Sequence, residues 1–254
     1  MSQLQKKIQR IQRRESPRGF GFGQTVREQP PAMLLGALVS DAASAKAALE
    51  AGAEVVLFQG ENGQAIAPVI RELNSDKVCA GAWVNVLDEE GAKALREAGC
   101  DFAISTLEGT NSSAVDTEAM GQVIVASAEM DDTTLRALGP LNLDALFIER
   151  PLAAMTLKDQ LALVRLSSFS ATPLIATIAA DAAPSELRVL RDSGAAMVVP
   201  PAGTSPDGLR ALLQALREVP VRKARSNGPE IAIVPSLAAA GHNHDDEDDD
   251  DDDI

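Results

Sequence analysis

Acidic side chains recur where short apolar runs end. Glu108, Glu129, Glu149 and Asp181 each lie at or just beyond the end of such a run, and Arg150 directly follows Glu149. A hard divalent cation such as Mg²⁺ or Mn²⁺ takes one or two carboxylates plus waters. Glu129, Glu149 and Asp181, on successive runs, are therefore the expected metal ligands. A cation held there would polarise a keto acid and stabilise its enolate, while Arg150 grips the substrate carboxylate through its N–H fork. Arg150 and Glu108 are the expected catalytic residues. Gln59, Asn85, Thr204 and Ser205 end other runs and are expected to bind substrate. A competing explanation is helix capping, for which Asp41, Asp88, Asp131 and Asp132 are well placed.

What is missing narrows the chemistry further. Lys46, Lys77, Lys93 and Lys158 all fall in helical or pre-strand positions, so no Lys ends a run and Schiff-base chemistry is disfavoured. The two histidines, His242 and His244, lie far from the apolar runs, which removes the commonest neutral-pH base and a His-based zinc site. Pro200 and Pro201 lack the N–H groups that a phosphate loop uses. Gly203, Thr204 and Ser205 keep a small anion nest open as an alternative, but FMN is disfavoured.

The elements that must position these residues follow from the pattern between Pro30 and Val219. Eight apolar runs recur roughly every 20–30 residues, the length of a βα unit. They are Met33–Val39, Glu54–Gln59, Val78–Asn85, Phe102–Thr106, Val123–Ala128, Ala145–Glu149, Leu174–Ala179 and Ala196–Pro200. The runs are continuous rather than alternating, as in strands buried on both faces. Helical stretches follow them, including Ala42–Glu50, Glu89–Ala98, a stretch from Asp131 or Asp132 to Leu138, and Ser185–Asp192 behind Pro184. Gly52, Gly99, Gly139 and Gly194 stand where a left-handed residue ends a helix. The fourth unit carries Gly109, Asn111, Ser112 and Ser113, so its helix is expected to be short or late. Gln59–Gly63 reads as a polar loop. The fold class expected is α/β, a closed (β/α)8 TIM barrel over residues 30–221.

The charge distribution adds two appendages. The chain has 254 residues and a net charge of −14. Residues 1–28 carry a net +5, residues 245–253 are nine consecutive acids, and −10 remains for residues 29–244. Residues 1–29 are read as a basic arm in which Leu4, Ile8 and Ile11 line one helical face, linked through Gly19–Gly23. Residues 222–254 are read as an extension with a disordered acidic tail, Glu230–Pro235 adding a short strand. Aromatics are only 3% of residues, which argues against specific nucleic-acid stacking. No apolar run is long enough for a membrane span. Cytoplasm is the expected compartment, Cys79 and Cys100 are expected to be buried thiols, and Trp83 to sit in the core or in a pocket wall. The basic arm suits a protein partner, and a homo-oligomer stays open.

Two stretches resemble known families. Ala51–Gly60 looks like the second unit of nitronate monooxygenase-type flavin barrels, whose FMN-phosphate loops and catalytic His have no counterpart here. Leu143–Pro200 is similar to the later units of phosphoenolpyruvate/pyruvate lyase barrels, through Asp144–Glu149 and Thr172–Thr177. That resemblance implies an aldolase-type barrel with Glu149 on the metal side. The Cys-containing catalytic loop of that family is absent. The reading that follows is a metal-assisted, lyase-like enzyme of a small carboxylate. The alternatives are a non-catalytic barrel that binds a partner through residues 1–28, and an FMN- or phosphate-binding barrel.

Overall fold

The computed structural model of the chain describes residues 1–14, 30–73, 78–150 and 154–220. Eight parallel strands close into a barrel in sequence order: β1 Leu34–Val39, β2 Val55–Asn62, β3 Cys79–Val86, β4 Phe102–Ser105, β5 Gly121–Val125, β6 Ala145–Ile148, β7 Leu174–Thr177 and β8 Ala195–Val199. β1 closes on β8 through Leu34↔Met197 and Leu35↔Val198. The helices α2 Ala42–Glu50, α3 Gly63–Leu73, α4 Glu89–Glu97, α5 Asp132–Leu138, α6 Leu157–Ser170, α7 Pro184–Asp192 and α8 Pro206–Glu218 return the chain between or after strands. The fourth unit has only a 3-10 turn, Ser112–Ala114. This is a TIM barrel, and the Gly- and Ser-rich composition of 109–113 explains its one missing helix.

Asp41, Asp88 and Asp131 cap α2, α4 and α5 by accepting backbone N–H bonds. Gly52, Gly99 and Gly194 take positive φ after α2, α4 and α7. Gly139 does not. It stays right-handed because α5 tightens into a 3-10 turn over Gly139–Leu141, and Asn142 takes the left-handed position instead. The expected loop at Gln59–Gly63 is also corrected. β2 runs on to Asn62, paired as far as Asn62↔Val86, and Gly63 already begins α3.

The core has two layers. An outer layer packs strands against helices, and an inner one fills the barrel with side chains such as Val55, Phe102, Val123, Phe147 and Met197. α1, Gln3–Arg14, belongs to the inner layer. Leu4, Ile8 and Ile11 are buried with those barrel side chains. The helix lies across the N-terminal ends of the strands, because its contacts are residues that precede them. Asp101, before β4, accepts from the Gln3 and Leu4 amides at 2.7 and 2.8 Å, and so caps a helix from another element. Asp144, before β6, accepts from the Ser2 hydroxyl at 2.5 Å. Lys7 pairs with Glu54, before β2, at 3.8 Å. α1, the described part of the basic arm, is thus the barrel's bottom plug, with Lys6, Arg10 and Arg13 exposed on its outer side. The acidic tail, the Gly19–Gly23 link and the strand expected at Glu230–Pro235 lie outside the described residues.

Packing inside the barrel is tight at Gly81. A Cβ there would come within 2.4 Å of the Phe102 ring, which is fully buried. Gly81→Ala is expected to cost about 1–3 kcal/mol through overpacking, read as a lowered urea midpoint at unchanged slope.

Asp144 gives a pH prediction. Burial is the main cause that raises its pKa above the ordinary 3.8, and the Ser2 hydroxyl opposes it. The folded state therefore holds this proton to higher pH than the unfolded chain. Its favourable contribution is present below the unfolded value and is lost as pH rises through the folded one. Asp144→Asn keeps an acceptor for Ser2 without the charge. Its melting temperature relative to the native chain is expected to rise from acid to neutral pH. A difference independent of pH would contradict this.

Candidate functional site

The C-terminal ends of the strands hold a cavity of about 230 Å³ on the barrel axis, lined by Leu38, Gln59, Trp83, Glu149, Arg150, Thr177, Val199, Pro200 and Pro201. Its aromatic wall is built from below. Phe147, fully buried in β6, packs against Trp83 of β3 with ring centroids 4.6 Å apart and planes tilted by 55°. Trp83 is both core-packed and exposed to the cavity. Cys79 and Cys100 are buried free thiols. Desolvation raises both, Cys79 helped by Asp101, and Cys100 is pushed up to about 12. Neither is a thiolate nucleophile at neutral pH.

Arg150 sits just past β6 and is clamped to the end of β7. Its backbone N–H donates to Thr177 Oγ1 at 2.9 Å, and that hydroxyl donates back to the Arg150 carbonyl at 3.1 Å. Its Nη1 donates to the Thr177 carbonyl at 3.2 Å and pairs with Glu186 of α7 at 3.1 Å. The Arg150 side chain is only 8% exposed and that of Glu186 22%. A cation is therefore held in a fixed orientation at a nearly dry wall, where electrostatic interactions are stronger than in bulk water.

The expected site residues separate into two groups. Arg150, Glu149 and Gln59 meet at the axis cavity. Thr204, also with Gln59, lines a neighbouring cavity of about 340 Å³ between β1, β8, α2 and α8. Ser205 instead caps α8, accepting from the Gly208 amide at 3.1 Å. Asn85, Glu108, Glu129 and Asp181 are exposed and line neither cavity. Among the described residues no three His, Cys, Asp or Glu side chains gather as a group able to hold a metal ion. Glu129, Glu149 and Asp181 thus do not form the expected three-carboxylate centre. The cause is strand length. β5 and β7 stop at Val125 and Thr177, short of their apolar runs, so Glu129 and Asp181 fall out on the rim. The residue that β7 brings to the axis is Thr177, which the apolar run to Ala179 concealed. Glu186 was not legible at all, since it reaches Arg150 from a helix after the next strand.

A third cavity, about 580 Å³, lies beside β5, β6 and α6 and shares Glu149 and Arg150 with the axis cavity. Among the described residues no helix is long and apolar enough to cross a membrane.

No family model and no curated protein matches the chain. Solved barrel structures do. A tryptophan synthase structure from M. tuberculosis superposes with TM-score 0.63 at 12% identity, covering 87% of this chain and 100% of that one. Phosphoribosyl anthranilate isomerase from Thermus thermophilus gives 0.54 at 16%, covering 74% and 100%. Thiamine phosphate pyrophosphorylase from Pyrococcus furiosus gives 0.55 at 14%, covering 77% and 99%. At such identities the likeness shows the fold, an aldolase-type barrel, and leaves the chemistry to the site.

Proposed function

We propose that the protein is a lyase-like enzyme that enolises a small α-keto acid in the axis cavity. The observation that carries this reading is the meeting of Arg150, Glu149 and Trp83 around one small cavity at the end of the barrel where TIM-barrel sites lie. Arg150 binds the substrate carboxylate and favours the negative charge that grows on the enolate. Glu149, its chain neighbour, takes the proton from the carbon next to the carbonyl and returns it. The Trp83 ring supplies an apolar face for a flat enolate, and Thr177 keeps Arg150 in place.

The test is proton exchange. Pyruvate incubated in D₂O with the protein is expected to lose its methyl proton signal, and Glu149→Gln to abolish the loss while leaving pyruvate binding in place. Full exchange in Glu149→Gln would remove Glu149 from the role of base. No exchange and no pyruvate binding in the native chain would overturn the reading. A second reading, a binding subunit that uses the arm, draws on the exposed Lys6, Arg10 and Arg13 of α1. A triple Ala variant of these that loses a partner but keeps exchange would favour it.

A further inference from the structure

The axis cavity adjoins the side cavity between β1, the end of β8, α2 and α8, since Leu38, Gln59, Pro200 and Pro201 line both. The side cavity is the larger, about 340 against 230 Å³. A molecule anchored at Arg150 and too long for the axis cavity would have to pass Gln59 to reach this space. What the side cavity can bind is set by its donors. Three hydroxyls line it, and each already gives its proton to the protein. Ser40 donates to Asp41 Oδ2 at 3.0 Å, Ser44 to the Asp41 carbonyl at 2.9 Å, and Thr204 to the Pro201 carbonyl at 2.7 Å.

The donors left over are the Gln59 carboxamide and the Ala202 and Gly203 amides, which line the cavity and find no partner among the described residues. Pro200, Pro201 and Pro206 have no N–H, the Thr204 amide donates to the Pro201 carbonyl, and the Gly208 amide is taken by Ser205. Among the described residues no Lys, Arg or His lines the cavity. Two carboxylates stand nearby, on Asp41 at the start of α2 and Asp207 in the first turn of α8. A phosphate or carboxylate placed here would lose its water and meet, among the described residues, no cation and only the neutral Gln59, Ala202 and Gly203 N–H groups. The walls that remain are small and apolar, chiefly Ala37, Ala47, Ala48 and Leu209.

We infer that the substrate of this barrel is an α-keto acid with an uncharged aliphatic extension, whose chain occupies the side cavity while its carboxylate meets Arg150. This rests on the keto-acid reading above for the anchor, and on the side cavity alone for the extension. Ala47 is the specificity-determining position, because it faces the cavity from α2 and touches none of the axis residues in the hydrogen-bond pattern.

The experiment measures binding of three probes to the full chain by calorimetry: pyruvate, α-ketooctanoate and ω-phosphono-α-ketohexanoate. The native chain is expected to bind α-ketooctanoate at least about tenfold more tightly than pyruvate, and the phosphonate no better than pyruvate. Ala47→Leu, which fills the cavity with a good helix former, is expected to remove that tenfold gain and leave pyruvate unchanged. Tighter binding of the phosphonate than of α-ketooctanoate would overturn the inference, and so would an α-ketooctanoate affinity unaffected by Ala47→Leu. A melt of the variant confirms that it folds. Hexanol, which carries no anchor, separates the two readings should no acid bind. Hexanol bound by the native chain and lost in Ala47→Leu would sink the keto-acid anchor but sustain the aliphatic cavity, whereas hexanol unbound would overturn the cavity assignment as well.

Discussion

Deletion of residues 1–14 is expected to abolish the cooperative unfolding transition of the barrel and to leave a chain that aggregates. The reason lies in what α1 covers. Leu4, Ile8 and Ile11 are 0%, 2% and 8% exposed and pack in the same inner layer as Phe102, Val123 and Phe147. Burying an aliphatic side chain of this size is worth about 1.5–3 kcal/mol. Three of them together contribute on the order of 5 kcal/mol or more, against a whole-domain stability of about 5–15 kcal/mol. Removal also strips the Asp101 carboxylate of two amide donors and the buried Asp144 of its hydroxyl partner. Circular dichroism melts and light scattering measure the outcome. Leu4→Ala is the graded version, with an expected cost of about 2–5 kcal/mol. A truncated chain that melts cooperatively within a few degrees of the full one would show that the barrel seals itself without α1.

The position of α1 also marks where sequence reasoning stopped. Its amphipathic spacing was plain, but spacing says which face is buried and not what buries it. The barrel was legible because its signals are local. Three units end a helix and begin a buried strand in a phrase such as Leu95-Arg-Glu-Ala-Gly-Cys-Asp-Phe102, and the backbone needs Gly99 there for its positive φ. The site was legible in part. Arg150 and Glu149 fall at a strand end, as the sequence suggests, because β6 ends at Ile148, the last apolar residue of its run. Glu129 and Asp181 lie beyond their strand ends because apolar residues such as Ala126, Ile178 and Ala182 continue past the last paired residue and are buried by other contacts. Burial and strand pairing coincide at β6 and separate at β5 and β7. Glu186 illustrates a different limit. Its partner lies 36 positions away in the chain and on another element, and only the closed barrel brings the two together. Thr177 falls between these cases, since a Thr in an apolar run has a hydroxyl to satisfy, and the ladder edge at Arg150 is where it does so.

Arg150→Met is expected to separate binding from folding. The substitution keeps the length of the stem and deletes the guanidinium. Truncating one partner of a desolvated charge pair costs about 2 kcal/mol or more, which corresponds to roughly thirtyfold or more in Kd for pyruvate. The fold is expected to lose much less, about 1 kcal/mol, because Glu186 keeps 22% side-chain exposure and can be hydrated once its partner is gone. Arg150→Lys retains a charge but not the planar fork, and its affinity is expected to fall between the two. Glu186→Gln acts in the opposite direction. Glu186 and the substrate carboxylate compete for one guanidinium, so neutralising Glu186 is expected to tighten pyruvate binding while lowering the melting temperature slightly. A purely structural ion pair predicts something else, namely that all three variants weaken binding only as far as they loosen the fold. The deciding comparison is therefore calorimetric affinity set against melting temperature across the three. Weakening in Arg150→Met together with tightening in Glu186→Gln is the pattern of a guanidinium shared with substrate. Unchanged affinity in Arg150→Met would take Arg150 out of the binding site, and with it the anchor on which the keto-acid reading depends.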